Sequence, residues 1–168
     1  MLKVKKFSRD LPDLKMIDKG DWIDLYVNSG AVAHNSLRDI TNQEDNRVEL
    51  DVISYKAGDV VIIGLGMAME LPINNEAEIR PRSSTFKNTG LLLTNSVATI
   101  DESYCGNNDE WKAMFYATRD GHIKRFDRLL QFRISNKMLK PPVMYVDKLH
   151  NEDRGGYGTT GKGDYNAN

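Results

Sequence analysis

The chain has 168 residues, enough for one domain with its own core, and is 40% hydrophobic and 28% charged. A net charge of −1 excludes broad electrostatic capture of nucleic acid or anionic membrane, so any anionic ligand has to be held by a local cluster. The single cysteine, Cys105, rules out an internal disulfide, and three scattered histidines leave no Cys/His zinc site.

Met1 leads into LKVKKFSRDLP, which lacks the apolar core of a signal peptide, and no apolar run approaches the roughly 20 residues of a membrane span. A cytoplasmic location is the expectation. GDWIDLYV is strand-like, and on a strand Asp24 shares a face with Trp22 and Tyr26. Residues Asn28–Arg47 are polar and weakly periodic, and read as an inserted loop with room for a short hairpin. Strands are predicted at Val48–Tyr55, Asp59–Leu71, Thr89–Asn95, Met114–Ala117, Leu129–Ile134 and Val143–Val146. Within the second of these, GDVVIIGLGMAMELP reads as one strand running into another, and Gly64 and Gly66 fit a bulge or a close backbone approach. Glu76–Lys87 has room for a turn of helix after Arg82, limited by Pro81. The tail from Asn151 to Asn168 is rich in Gly, Asp, Asn and Thr and predicts a mobile segment. Many short strands with turn signals point to a β-sandwich, jelly roll or small barrel.

Several positions can carry chemistry, and each has a plainer reading. Pro81–Ser84 (PRSS) sets a guanidinium, two hydroxyls and backbone N–H groups at a turn, which suits phosphate oxygens or a surface turn with an N-cap serine. Asp101 ends an apolar run, where it can deprotonate a water or cap a turn. Asn95 can read a base edge or satisfy a turn, and Tyr104 can press on a sugar or sit in the core. Arg128 and Gln131 are polar residues on a strand-like segment, so they line a polar pocket or a solvated face. GYGTTGKG in the tail comes close to a P-loop but lacks the hydroxyl residue after Lys162 and a following helix, which argues against one. A disordered tail and a Gly-rich flap over a ligand both stay open.

Taken in order, GDWIDL, PRSS, TNSVATIDESYCGNNDEW, DRLLQFRI and EDRGGYGTTG resemble the homotrimeric dUTPases, closest to the form of Gram-positive bacteria and their phages. The resemblance implies an all-β, distorted jelly roll (a β-clip) over residues 1–150, with the polar insert at about 28–47 and a Gly-rich arm at 151–168. It implies hydrolysis of dUTP to dUMP and pyrophosphate, lowering dUTP and supplying dUMP for thymidylate synthesis. Asp101 matches the carboxylate that orients the attacking water. Asn95 matches the uracil reader, with backbone from Thr99 and Ile100 to Asp101, and Tyr104 matches the ring on deoxyribose. Arg82, Ser83 and Ser84 match the phosphate-binding motif, and Arg128 a fourth-motif arginine of partly structural role. Asp24 and Gln131 match groups that hold waters around Mg²⁺, with no direct protein ligand. Arg154, Tyr157, Thr159 and Thr160 match the arm that covers the phosphates.

Three departures from the compact family pattern stand out. These are the insert, Arg154 directly before the Gly pair, and an extended GNNDEWKAM in which Trp111 and Lys112 are candidates for the pocket lining. No nucleic acid partner is implied, and each active site would be shared between subunits. Two rival readings are a dCTP deaminase, which needs a glutamate where Met114 stands, and a regulatory module that binds a protein through the insert. A purely structural jelly roll explains the β pattern but not the five motifs.

Overall fold

Val60–Gly64 (β5) is built from β-branched residues, which crowd a helix but pack well on a pleated sheet. It lies in the middle of a four-stranded antiparallel sheet in the order β3-β5-β10-β8, with β3 at Ser29–Ala33, β8 at Leu91–Leu93 and β10 at Lys112–Ala117. A second four-stranded sheet runs β2-β12-β7-β9, from Ile23–Leu25, Leu130–Asn136, Asn75–Pro81 and Ala98–Ile100. Among the described residues two ribbons accompany these sheets: β1 (Lys3–Lys6) with β6 (Met67–Glu70), and β4 (Val52–Tyr55) with β11 (Gly121–Lys124). The computed structural model describes residues 1–34, 47–48, 51–153 and 155. The chain divides into the unit Met1–Lys137 and the unit Met138–Asn168.

Alternation along the strands feeds one core in the first unit. Val61, Ile63, Phe115 and Leu91 from one sheet, and Leu25, Leu130, Phe132 and Ile79 from the other, are almost wholly buried. Trp111 packs edge-on against Phe132 with ring centroids 5.3 Å apart, a favoured aromatic geometry. This is the all-β class that the strand pattern predicts, in the distorted jelly roll that the resemblance implies.

Several local expectations need correction. Val143–Val146 forms no strand; its side chains are exposed, and the run is too short and too close to Pro141 and Pro142 to pair. The predicted loop at Asn28–Arg47 begins with a buried strand, because Ser29–Ala33 presents small side chains that fit against β5. Residues 35–46 of that insert lie outside the described residues, whereas Val48 bridges back to Gly30. The start of Glu76–Lys87 is strand β7, and the helical turn after Arg82 is the short helix α1, Thr85–Thr89. Gly90 ends that helix in the left-handed region, so the predicted strand Thr89–Asn95 shrinks to Leu91–Leu93. The run Asp59–Leu71, by contrast, divides into two strands as GDVVIIGLGMAMELP predicts, with Gly66 at φ 67° turning β5 into β6.

Candidate active site

Two polar clusters stand on the second sheet and its connections, at opposite ends of β7. The first gathers around Asp24. On β2, Asp24 faces Gln131 of β12, which in turn faces Arg80 of β7. Its Oδ1 accepts from Arg82 Nε at 2.8 Å, and its Oδ2 from an Arg128 terminal nitrogen at 3.0 Å. The Gln131 amide leans on the Pro81 carbonyl at 3.5 Å. Asp24, Arg82, Arg128 and Gln131, read as separate candidates in the sequence, thus form one group.

The PRSS turn is tied down by main chain. The Leu129 carbonyl accepts both the Arg82 N–H at 3.0 Å and the buried Thr85 hydroxyl at 2.6 Å. Ser84 occupies the N-cap position of α1 but its hydroxyl makes no capping bond, so the N-cap reading of this serine does not hold. Ser83 is exposed. Arg82, Ser84, Asn88, Phe126 and Arg128 line a cleft of about 290 Å³. Two guanidinium groups and the Ser84 hydroxyl around one cleft suit a multiply charged anion.

The second cluster is the connection between the two sheets. Leu91–Leu93 belongs to one sheet and Ala98–Ile100 to the other, so residues 94–97 cross between them. Thr94 is fixed by its N–H and its hydroxyl, both donating to the Met114 carbonyl at 3.0 and 3.1 Å. Asn95 is exposed on the wall of a cleft of about 280 Å³ shared with Ile62, Thr94, Lys112, Ala113 and Met114. Thr99 is exposed and Ile100 half-buried, and Asp101 follows them into solvent. Its Oδ1 accepts from the Ser103 N–H at 2.8 Å and its carbonyl from the Tyr104 N–H at 3.0 Å. The turn-capping role of Asp101 is therefore real, and it also fixes how the carboxylate points. Tyr104 is 38% exposed and its hydroxyl donates to the Glu110 carbonyl at 3.2 Å.

Glu102 anchors this turn from behind. Its carboxylate pairs with Lys137 and accepts from the Asn74 N–H at 2.7 Å. The Lys137 hydrogen bond, followed by the Asn74 N–H, holds its carboxyl below the usual glutamate range.

Pairing sets the distance between the two clusters. Ala77 of β7 lies opposite Ile100, so Asp101 continues level with Glu76, six residues before Arg82. At about 3.4 Å per strand residue that is about 20 Å. Along one chain the backbone positions of Asp101 and Arg82 are thus held well apart.

Of the other candidates, Arg154, Tyr157, Thr159 and Thr160 lie outside the described residues. Trp111 does not line a pocket: it is fully buried in the core, whereas Lys112 does reach the Asn95 cleft. The sequence reading missed Asn88 and Phe126 in the first cleft and Ile62 in the second. Their place depends on strand register and on a left-handed Phe126 (φ 68°), which leave no local mark in the sequence.

No family profile matches the chain. It is 41% identical over 160 residues to the SPbeta prophage-derived deoxyuridine 5'-triphosphate nucleotidohydrolase YosS of Bacillus subtilis, covering 95% of this chain and 97% of that protein. In structure it resembles the Staphylococcus bacteriophage 80alpha dUTPase solved with dUPNHPP, with a TM-score of 0.68 at 13% identity over 96% of this chain and 99% of that one. It also resembles a variant dUTPase of phage phi11 of S. aureus, solved for the coordination of a structural Mg(II) ion, with a TM-score of 0.63 at 12% identity over 88% and 97% of the two chains. The fold agrees with those structures, and the identity to the prophage protein extends across nearly all of both sequences. The chain therefore belongs to the dUTPase family, the deoxyuridine 5'-triphosphate nucleotidohydrolases.

Proposed function

We propose that the chain hydrolyses dUTP to dUMP and pyrophosphate in active sites shared between the subunits of a homotrimer. The observation that carries this reading is the pair of complementary clusters, one suited to phosphate and one to a nucleoside and a water, held about 20 Å apart along β7. A second subunit is needed to bring them face to face. An outer sheet face carrying exposed Leu92 and Tyr116, partners across β8 and β10, supports burial against another copy.

In the proposed site Asn95 donates to and accepts from the uracil edge, with backbone from Thr99 to Asp101 completing the contacts. Tyr104 packs on the deoxyribose. Asp101 takes a proton from a water, whose oxygen attacks the α-phosphorus while the bond to the β-phosphate bridging oxygen breaks. Arg82, Ser83 and Ser84 hold the phosphates and Arg128 braces them through Asp24. Arg154, Tyr157, Thr159 and Thr160 complete the cover from the arm.

The residues present fit a hydrated Mg²⁺. Each oxygen of Asp24 accepts one arginine hydrogen bond, and a carboxylate has lone pairs left for water. Asp24 and Gln131 would hold such waters, and Mg²⁺ when bound neutralises phosphate charge. The reaction lowers dUTP and supplies dUMP for thymidylate synthesis in the cytoplasm. Deamination of dCTP is disfavoured, because Met114, with no proton to shuttle, lines the Asn95 cleft.

The test is pyrophosphate release from each deoxynucleoside triphosphate with Mg²⁺. Turnover of dUTP with little of dCTP or dTTP is expected; equal turnover of all four, or ammonia from dCTP, overturns the reading. Asp101→Asn should keep nucleotide binding and lose turnover, and a fully active variant would remove Asp101 from its role.

A further inference from the structure

The loop after Tyr104 returns to the core through Glu110, and Glu110 is the meeting point of four separate contacts. Its side chain is only 15% exposed and lies beside Arg47, itself 12% exposed, with a guanidinium nitrogen 3.0 Å from Oε2. Oε1 accepts the Gly66 N–H at 2.9 Å. Its own N–H donates to the Asn108 carbonyl at 2.8 Å. Its main-chain carbonyl accepts the Tyr104 hydroxyl.

The pair sits directly on Gly64. A methyl group there would stand 2.4 Å from Glu110 Oε1, 2.5 Å from Ser29 Oγ and 2.7 Å from an Arg47 nitrogen, so the pair could not keep this place beside any larger residue. Arg47 is fixed from the other side, since the next residue, Val48, exchanges hydrogen bonds with Gly30 on β3 at 3.0 and 3.2 Å. A rigid sheet edge is thereby linked through one ion pair to the carbonyl that holds the Tyr104 ring.

We propose that Arg47 and Glu110 are positioning residues for Tyr104 and set how strongly the site discriminates against a 2′-hydroxyl. The proposal rests on the reading of Tyr104 as the ring against deoxyribose. A ring that excludes one oxygen by contact has to be held to about half an ångström. The Tyr104 hydroxyl takes its position from the Glu110 carbonyl. Without Arg47 the Glu110 carboxylate is an ill-compensated charge in a nearly closed site, and it turns towards water, loosening the loop that carries that carbonyl.

The experiment measures kcat/KM for dUTP and UTP with Mg²⁺, using the Ki of UTP against dUTP where UTP turnover falls below detection. Arg47→Met should lower the preference for dUTP about tenfold, the effect of slackening one orienting hydrogen bond. Arg47→Lys should recover part of it. Tyr104→Phe should lower the preference by a similar factor, and Arg47→Met should add nothing in that background. Should Arg47→Met fail to fold, Arg47→Met with Glu110→Gln leaves no buried charge but still cuts the link from β3 to the loop, and is expected to lose a smaller part of the preference. An unchanged preference in a folded variant, or full additivity with Tyr104→Phe, overturns the proposal. Wild-type protein inactive on dUTP would overturn the dUTPase reading instead.

Discussion

Replacing Thr85 by valine tests whether the phosphate turn is held by the Leu129 carbonyl. Thr85 is 1% exposed, and its hydroxyl donates to Leu129 O at 2.6 Å, where the Arg82 N–H also arrives at 3.0 Å. Thr85→Val keeps the shape of the side chain and puts a methyl group against that oxygen. The carbonyl retains one donor, so the loss is about 1–2 kcal/mol. For a chain of this size that lowers Tm by about 4 °C. Because the same carbonyl positions Arg82, kcat/KM for dUTP should also fall about tenfold. Thr118→Val is the control: its hydroxyl and N–H converge on the Gly90 carbonyl at 2.7 and 3.0 Å, and neither touches the Leu129 carbonyl. Thr118 is exposed, so this variant should lose less stability than Thr85→Val and keep full activity per folded site. A Thr85→Val protein as stable as wild type refutes the hydrogen-bond argument, and one that is destabilised but fully active refutes the tether.

Gly66→Ala should cost at least about 1–2 kcal/mol from its left-handed backbone alone. Its added methyl would also lie 2.7 Å from the Asn28 side chain, and urea denaturation reads the loss. The Glu102–Lys137 pair should give a pH signature. A carboxyl held below its ordinary value stabilises the folded state fully above the ordinary range, about pH 4–5, and loses that contribution as pH falls through the lowered value. Glu102→Gln should flatten the acid limb of urea midpoints measured between about pH 6 and about pH 3, and an unchanged limb would remove Glu102 from that role.

How far the chain could be read depended on whether a signal was local. The β-branched run at Val60–Ile63 and the break at Gly66 announce themselves within a few residues, and both stand in the fold. Ser29–Ala33 did not: its serine, glycine and alanines look like loop, and become a strand only because β5 offers them an apolar surface. Asp24, Arg82 and Arg128 were each legible as charges with no obvious partner. Their union into one ion-paired group is a product of the β2-β12-β7 register, which pairing across more than a hundred residues decides. Trp111 was misplaced for the same reason. A tryptophan among polar neighbours looks exposed, yet its main-chain N–H donates to Met67 O and its ring meets Phe132.

The spacing along β7 makes a prediction that no single-chain site could satisfy. If Asp101 of one subunit serves the Arg82 cluster of another, Asp101→Asn and Arg82→Met should each be inactive alone yet complement each other when mixed. Unfolding and refolding the two variants together at equal concentration distributes them at random among trimers. Each site then draws an intact Asp101 and an intact Arg82 with a probability of about one half apiece, so about a quarter of wild-type activity should return. Dilution below the assembly constant should abolish it. A mixture that stays inactive, while size-exclusion chromatography and mass spectrometry show mixed trimers, would mean that both residues serve the same chain's site. The shared-site reading predicts the opposite, because about 20 Å of extended strand separates the two backbone positions along one chain.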